Sequence, residues 1–135
     1  MQPRAGFITS DLANTRAFYE RVLGFEVKFG SDWYIFMAHP EGGMTGVSFM
    51  QSGDPRHDHQ PIFQSPCQAS GVFLSIPVKD VDQEYARICA LDVPMVVELR
   101  NEAWNDRHFT LLDPNGVAID IFQWFPRGIP EPPRG

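Results

Sequence analysis

Asp11-Leu-Ala-Asn-Thr-Arg-Ala-Phe-Tyr-Glu-Arg-Val-Leu-Gly24-Phe25 and Asp80-Val-Asp-Gln-Glu-Tyr-Ala-Arg-Ile-Cys-Ala-Leu-Asp92-Val93 are two versions of one segment. A second pair follows them. His39-Pro-Glu-Gly42 leads to Val47-Ser48-Phe49-Met50-Gln51, and Asp113-Pro-Asn-Gly116 leads to Ile119-Asp120-Ile121-Phe122-Gln123. The offset between copies is nearly constant: 69 residues from Asp11 to Asp80, 74 from Pro40 to Pro114 and 72 from Gln51 to Gln123. Repetition at a fixed offset sets the architecture ahead of any single residue.

Around each anchor the pattern predicts the same run of elements. Residues 6–9 read as a strand. Ser10 or Asp11 caps the helix that follows, because a side-chain oxygen there satisfies an orphan N–H. Leu12, Tyr19, Val22 and Leu23 give that helix one apolar face, and Gly24 ends it. Phe25, Val27 and Phe29 alternate with Glu26 and Lys28, a half-buried strand. Residues 33–38 and 46–50 are two further strands. The second copy gives a strand over 72–78, a helix over 80–91, and strands over 94–100, 107–112 and 117–124. Asp113-Pro-Asn-Gly116 is a turn, in which Pro presets φ and Gly permits a positive one.

The expected fold class is therefore α+β, with two tandem β-α-β-β-β modules forming paired curved mixed sheets around a concave cleft. The 135 residues suit one domain. Module one covers 4–51, a linker 52–70, module two 71–124 and an extended Pro-rich tail 125–135. The linker is rich in Pro, Asp, Gln, Ser and His.

A formal net charge of −6, with no clustered Lys/Arg run, argues against a nucleic-acid binder. No apolar stretch approaches a membrane span, and the N-terminus lacks the apolar core of a signal peptide. A cytoplasmic protein is expected. Cys67 and Cys89 carry no metal or redox spacing and read as free thiols.

Glu102-Ala-Trp104-Asn-Asp-Arg107-His-Phe109 continuing to Asp113-Pro-Asn-Gly116-Val-Ala-Ile-Asp120 is similar to a family signature. That signature is Trp-Gly-x-Arg-x-Phe followed by Asp-Pro-x-Gly-x-x-Ile-Glu. Asp11-Leu12, Phe18-Tyr19 and Leu23-Gly24 match its first-copy counterpart. On these residues the chain resembles the vicinal oxygen chelate superfamily: glyoxalase I, bleomycin-resistance proteins, fosfomycin-resistance enzymes and extradiol dioxygenases. The resemblance runs from Ala5 to Trp124. It implies a homodimer, and in the enzymes a divalent metal held by His, Gln or Glu on the first and last strands of each copy.

Carried over one at a time, those ligand positions fall on Arg4, Ser48, Phe73 and Asp120. Arg has no lone pair to offer, Phe cannot ligate, and Ser is a poor ligand for a divalent ion. Only Asp120 suits a metal, so neither a metal nor another cofactor is expected. Arg4 in a ligand position suggests a fixed charge near Asp120 that meets a polar or anionic group.

Period-2 alternation turns Leu74, Ile76, Val78, Ile119 and Ile121 toward the helix. Phe73, Ser75, Asp120, Phe122 and Trp124 then take the other face. His108 and Thr110 join them if Phe109 packs on the helix. His108 beside Asp120 is a candidate acid–base pair, with pocket hydrogen bonding the plainer role. Trp33 and Trp104 are candidate aromatic walls, and Met37, Met44 and Met50 an adaptable apolar lining. Arg107 and Glu102 are expected to shape a loop or form a structural pair. His57-Asp58-His59 reads as solvated linker.

The favoured expectation is metal-independent binding of a small apolar or aromatic molecule, as in drug sequestration. Arg4 and Asp120 would anchor it, Phe73, Phe122, Trp33 and Trp104 would wall it, and Ser48, Ser75, His108 and Thr110 would hydrogen-bond it. The alternative is a lyase, isomerase or dioxygenase of the same superfamily. A third possibility is an interaction partner without a ligand cleft.

Overall fold

Two helices and eight strands follow one another in the expected order in the computed structural model, which describes residues 1, 3–57, 61–67 and 70–131. The first copy contributes β1 (Ala5–Thr9), α1 (Leu12–Leu23), β2 (Glu26–Gly30), β3 (Tyr34–Ala38) and β4 (Gly46–Gln51). The second contributes β5 (Phe73–Pro77), α2 (Val81–Cys89), β6 (Met95–Asn101), β7 (Asp106–Leu112) and β8 (Ala118–Trp124). Residues 1–68 and 69–135 form two compact units. Each holds one four-stranded mixed sheet, in the orders β1-β4-β3-β2 and β5-β8-β7-β6. In each, the first and last strands pair in parallel and the other pairs are antiparallel.

The residues that repeat in the sequence close the same joints in both units. Asp11 accepts the Asn14 N–H at 3.0 Å and Asp80 accepts the Gln83 N–H at 3.1 Å. Each satisfies a donor that the first helical turn leaves orphaned. Gln51 at the end of β4 accepts the Leu12 N–H at 2.9 Å, and Gln123 in β8 accepts the Val81 N–H at 3.1 Å. A glutamine from the last strand thus pins the helix start in each copy. Gly24, at φ 69°, closes α1. Asp113, only 5% exposed, accepts the N–H groups of Asn115 and Val117 at 2.8 and 2.9 Å and fixes the β7–β8 turn.

Burial follows the helix-facing side of each sheet. In the first unit Tyr19, Val22, Phe49, Val47 and Met37 are buried, with the Tyr19 and Phe49 rings 4.7 Å apart. In the second, Val81, Ile88, Phe109, Ile119 and Ile121 are buried, and Tyr85 meets Phe109 edge-on at 5.1 Å. Truncating an aromatic residue in either core costs about 3–5 kcal/mol.

One expectation needs correction. The alternation in β2 does not hold through the strand. Val27 pairs with Met37, but Phe29 pairs with Phe36, so the register slips at Lys28. One extra residue sends Val27 and Phe29 to opposite faces. Phe29 therefore lies on the face away from α1, stacked on Phe36 at 5.2 Å and 46% exposed.

The linker carries local structure of its own. It contains 3₁₀ turns at Pro55–His57 and Pro61–Phe63. Ser52 N–H donates to the Thr9 carbonyl, and Cys67 N–H donates to the Ile8 carbonyl at 2.7 Å. The segment thus returns along β1 and belongs to the first unit. Arg56 ties it further, donating to Asp54 and Asp32 with its guanidinium 5.7 Å from the Trp33 ring centroid. The His57-Asp58-His59 segment lies outside the described residues apart from the backbone of His57. Cys67 and Cys89 form no disulfide among the described residues.

Candidate functional site

The face of each sheet opposite its helix carries the candidate residues. In the first unit one cross-strand row is Gly6, Ser48, Phe36 and Phe29, and the next is Ile8, Met50 and Tyr34. Gly6, Ser48, Ile8, Met50 and Tyr34 of these rows line a recess of about 180 Å³, which Ile62 and Phe63 of the linker turn also line. Its walls are almost wholly apolar. The hydroxyls of Ser48 and Tyr34 bond each other at 2.9 Å. Each hydroxyl keeps further hydrogen-bonding capacity for a polar atom of a guest.

Arg4 precedes β1 on the same face. Its guanidinium carbon sits 4.1 Å from the Phe36 ring centroid and 5.7 Å from that of Phe29. Phe36 is fully buried, although its strand face points away from α1. Stacking of the planar cation on an aromatic face is favourable in itself.

The corresponding row of the second unit is Ser75, Asp120 and Thr110, followed by Pro77, Phe122 and His108. Here the row is polar. Asp120 Oδ1 lies 2.6 Å from His108 Nδ1 and accepts the Thr110 hydroxyl at 3.1 Å. His108 Nε2 points toward Glu102, 3.8 Å from Oε2, and is buried with no hydrogen-bond partner among the described residues. Glu102 is held in turn by Arg100 at 2.6 Å.

Arg107 does not pair with Glu102. Its guanidinium bonds Asp82 on α2 at 2.8 Å and Asn101 at 2.8 Å. The hydrogen bond from Arg107 holds the Asp82 carboxyl below the usual carboxylate range. Trp104 projects from the β6–β7 hairpin, 62% exposed, and donates its indole N–H to Asp106.

The register thus gathers Ser75, Thr110, His108, Asp120 and Phe122 on one face in the second unit, as the alternation required. Phe73 continues that face of β5 and is 64% exposed. Arg4 and Ser48 share a face in the first unit. Trp33 lies against Arg56. Of the three candidate methionines, Met50 lines the recess. Met37 is fully buried, and Met44 is 51% exposed. Tyr34, Ile62 and Phe63 escaped sequence reasoning. The apolar pair after Pro61 in an otherwise polar linker was the available signal.

The donors at the four family positions do not fit a metal. Arg4 and Phe73 offer no lone pair for one, the Ser48 hydroxyl is bonded to Tyr34, and Asp120 is engaged by His108 and Thr110. Among the described residues, no group of three or more His, Cys, Asp or Glu side chains is arranged to hold a metal ion. No described helix is long and apolar enough to cross a membrane.

Two β-α-β-β-β units with these sheet orders define the class of the paired-module proteins. The chain belongs to the Glyoxalase/Bleomycin resistance protein/Dioxygenase superfamily, whose family model matches residues 2–121. A solved glyoxalase/bleomycin resistance protein/dioxygenase from Nocardioides is similar at 18% identity and TM-score 0.75, over 99% of this chain and 91% of that one. A lactoylglutathione lyase from Agrobacterium tumefaciens is similar at 19% identity and TM-score 0.71, over 91% and 92% of the two chains. TioX from Micromonospora sp. ML1 is similar at 17% identity and TM-score 0.64, over 93% and 97%. These likenesses are to the fold. No sequence among curated proteins matches the chain significantly.

Proposed function

We propose that the chain binds and sequesters a small apolar or aromatic molecule without a metal. One observation carries this reading. The recess on the first sheet joins apolar walls to a single hydroxyl pair, Ser48 with Tyr34. Small-molecule sites have this make-up, mostly apolar with a few placed polar groups. The donor set at the family's metal positions supports the same reading. Exposed apolar side chains on β5 and β8, Phe73 and Trp124 at 64% and 62%, support a homodimer as the working form, which we place in the cytoplasm. A monomer in sedimentation would remove the dimer from the proposal.

The test is titration of small aromatic probes into chelator-treated protein, followed by thermal shift and calorimetry. The expected result is saturable binding that added divalent metal does not alter. A Cβ built at Gly6 meets nothing closer than Ser48 Cβ at 3.9 Å. Gly6→Leu therefore fills the recess without a backbone clash and should abolish binding while leaving the melting temperature in place. Unchanged binding in Gly6→Leu, or binding that requires added metal, would overturn the reading.

A further inference from the structure

The geometry points to an anionic guest: a small aromatic monocarboxylic acid whose ring enters the recess and whose carboxylate meets Arg4. This rests on the recess reading above and specifies its ligand.

Arg4 is set apart from most arginines of the chain. Arg16, Arg56, Arg87, Arg100 and Arg107 each form an ion pair with a carboxylate of their own unit. Arg4 pairs with no carboxylate among the described residues and lies on the Phe36 and Phe29 rings instead. Acids are not scarce, since Asp and Glu outnumber Lys and Arg 17 to 11. The guanidinium carbon is the atom placed over the ring faces. A guanidinium carries five N–H donors in a planar fork, and a ring face beneath it does not consume that fork. That fork matches a carboxylate through two parallel hydrogen bonds, and the aromatic support beneath it limits the freedom lost on binding.

Arg4 and Phe36 lie beside the recess lining and are tied to it through strand neighbours. Phe36, which carries the guanidinium, is the cross-strand partner of Ser48, and Ser48 lines the recess. Arg4 lies two residues before Gly6, which also lines it. Two residues of strand advance about 7 Å along one face. That separation suits an aromatic ring in the recess with a short carboxylate-bearing arm reaching the rim. The Ser48–Tyr34 hydroxyls are left for a neutral polar group on the ring. Deep ionic capture has no support, because no charged side chain lines the recess among the described residues. The charge selection therefore sits at the rim.

The test compares two probes of one skeleton, 2-naphthylacetate and 2-naphthylacetamide, on the full chain by calorimetry and naphthalene fluorescence. The acid should bind about tenfold or more tightly than the amide, the contribution of one charge-assisted contact. Arg4→Met keeps an unbranched stem over Phe36 and removes the fork. It should erase the preference by weakening the acid and leaving the amide within about twofold. Arg4→Lys should restore part of it. Equal binding of acid and amide by the unaltered chain would overturn the anion assignment and leave the recess reading standing. Failure of both probes to bind would overturn both. Acid binding that disappears in Arg4→Met yet survives in Gly6→Leu would mean surface ion pairing alone and would also overturn the assignment.

Discussion

Replacing Asp120 by alanine tests whether the His108–Asp120–Thr110 cluster is a structural joint of the second unit. The substitution removes a 2.6 Å contact to His108 Nδ1 and a 3.1 Å hydrogen bond from Thr110. Hydrogen bonds to a charged acceptor contribute about 1.5–3 kcal/mol and an ordinary one about 1 kcal/mol. Asp120 and His108 side chains are 24% and 16% exposed, so water reaches part of the cluster and replaces some of the loss. We expect a net cost of about 2–3 kcal/mol. A 135-residue chain unfolds with an entropy of about 0.28 kcal/mol/K, so the melting temperature should fall by about 7–11 °C. Thermal unfolding followed by circular dichroism reads this directly. The double variant with His108→Ala should cost less than the two single variants together, with a coupling of about 1 kcal/mol or more. A melting temperature within about 2 °C of the unaltered chain, or strict additivity in the cycle, would refute the reasoning.

Gln51→Ala and Gln123→Ala should both destabilise, Gln51 the more. Gln51 accepts the Leu12 N–H and also donates to the Ser10 carbonyl at 2.9 Å, whereas the Gln123 side chain accepts the Val81 N–H alone among the described residues. Chemical denaturation should show about 1–2 kcal/mol against about 1 kcal/mol, and the reverse order would contradict the pinning role assigned to these residues. Asp82→Asn should cost less than about 1 kcal/mol near pH 7, because Asp82 is 59% exposed and solvent screens its pair with Arg107. The fold depresses the Asp82 pKa. The pair therefore contributes fully above the ordinary Asp range and loses its contribution as pH falls through the depressed value. The variant and the unaltered chain should converge in stability under acid, and a gap that widens there would exclude this sign.

The two units share a plan, and the shared part was legible because it is local and obligatory. A helix start needs a side-chain acceptor, and that need placed Asp11 and Asp80. A strand alternates faces, which sorted Ile119 and Ile121 from Asp120 and Phe122. What could not be read depends on contacts distant in sequence or on a single inserted residue. The bulge at Lys28 turns Phe29 to the far face, and no composition signal marks it. Arg4 could be assigned a position on its strand, yet its long side chain had several faces open to it. The aromatic pair that receives it exists only because that bulge brings Phe29 beside Phe36. The charged stack thus follows from the bulge. The same logic separates the two halves chemically. One row reads Gly6, Ser48, Phe36 in the first unit and Ser75, Asp120, Thr110 in the second. Backbone pairing is the same in both, so the scaffold holds either set. In the first, Gly6 leaves open a space that Ile62 and Phe63 of the linker turn also line. In the second, Asp120 fills its row with hydrogen bonds to His108 and Thr110. A row whose carboxylate is bonded by its own cross-strand neighbours braces the strands it joins. A row with an open floor and an arginine at its edge leaves room for a guest, and for that reason we assign binding to the first unit.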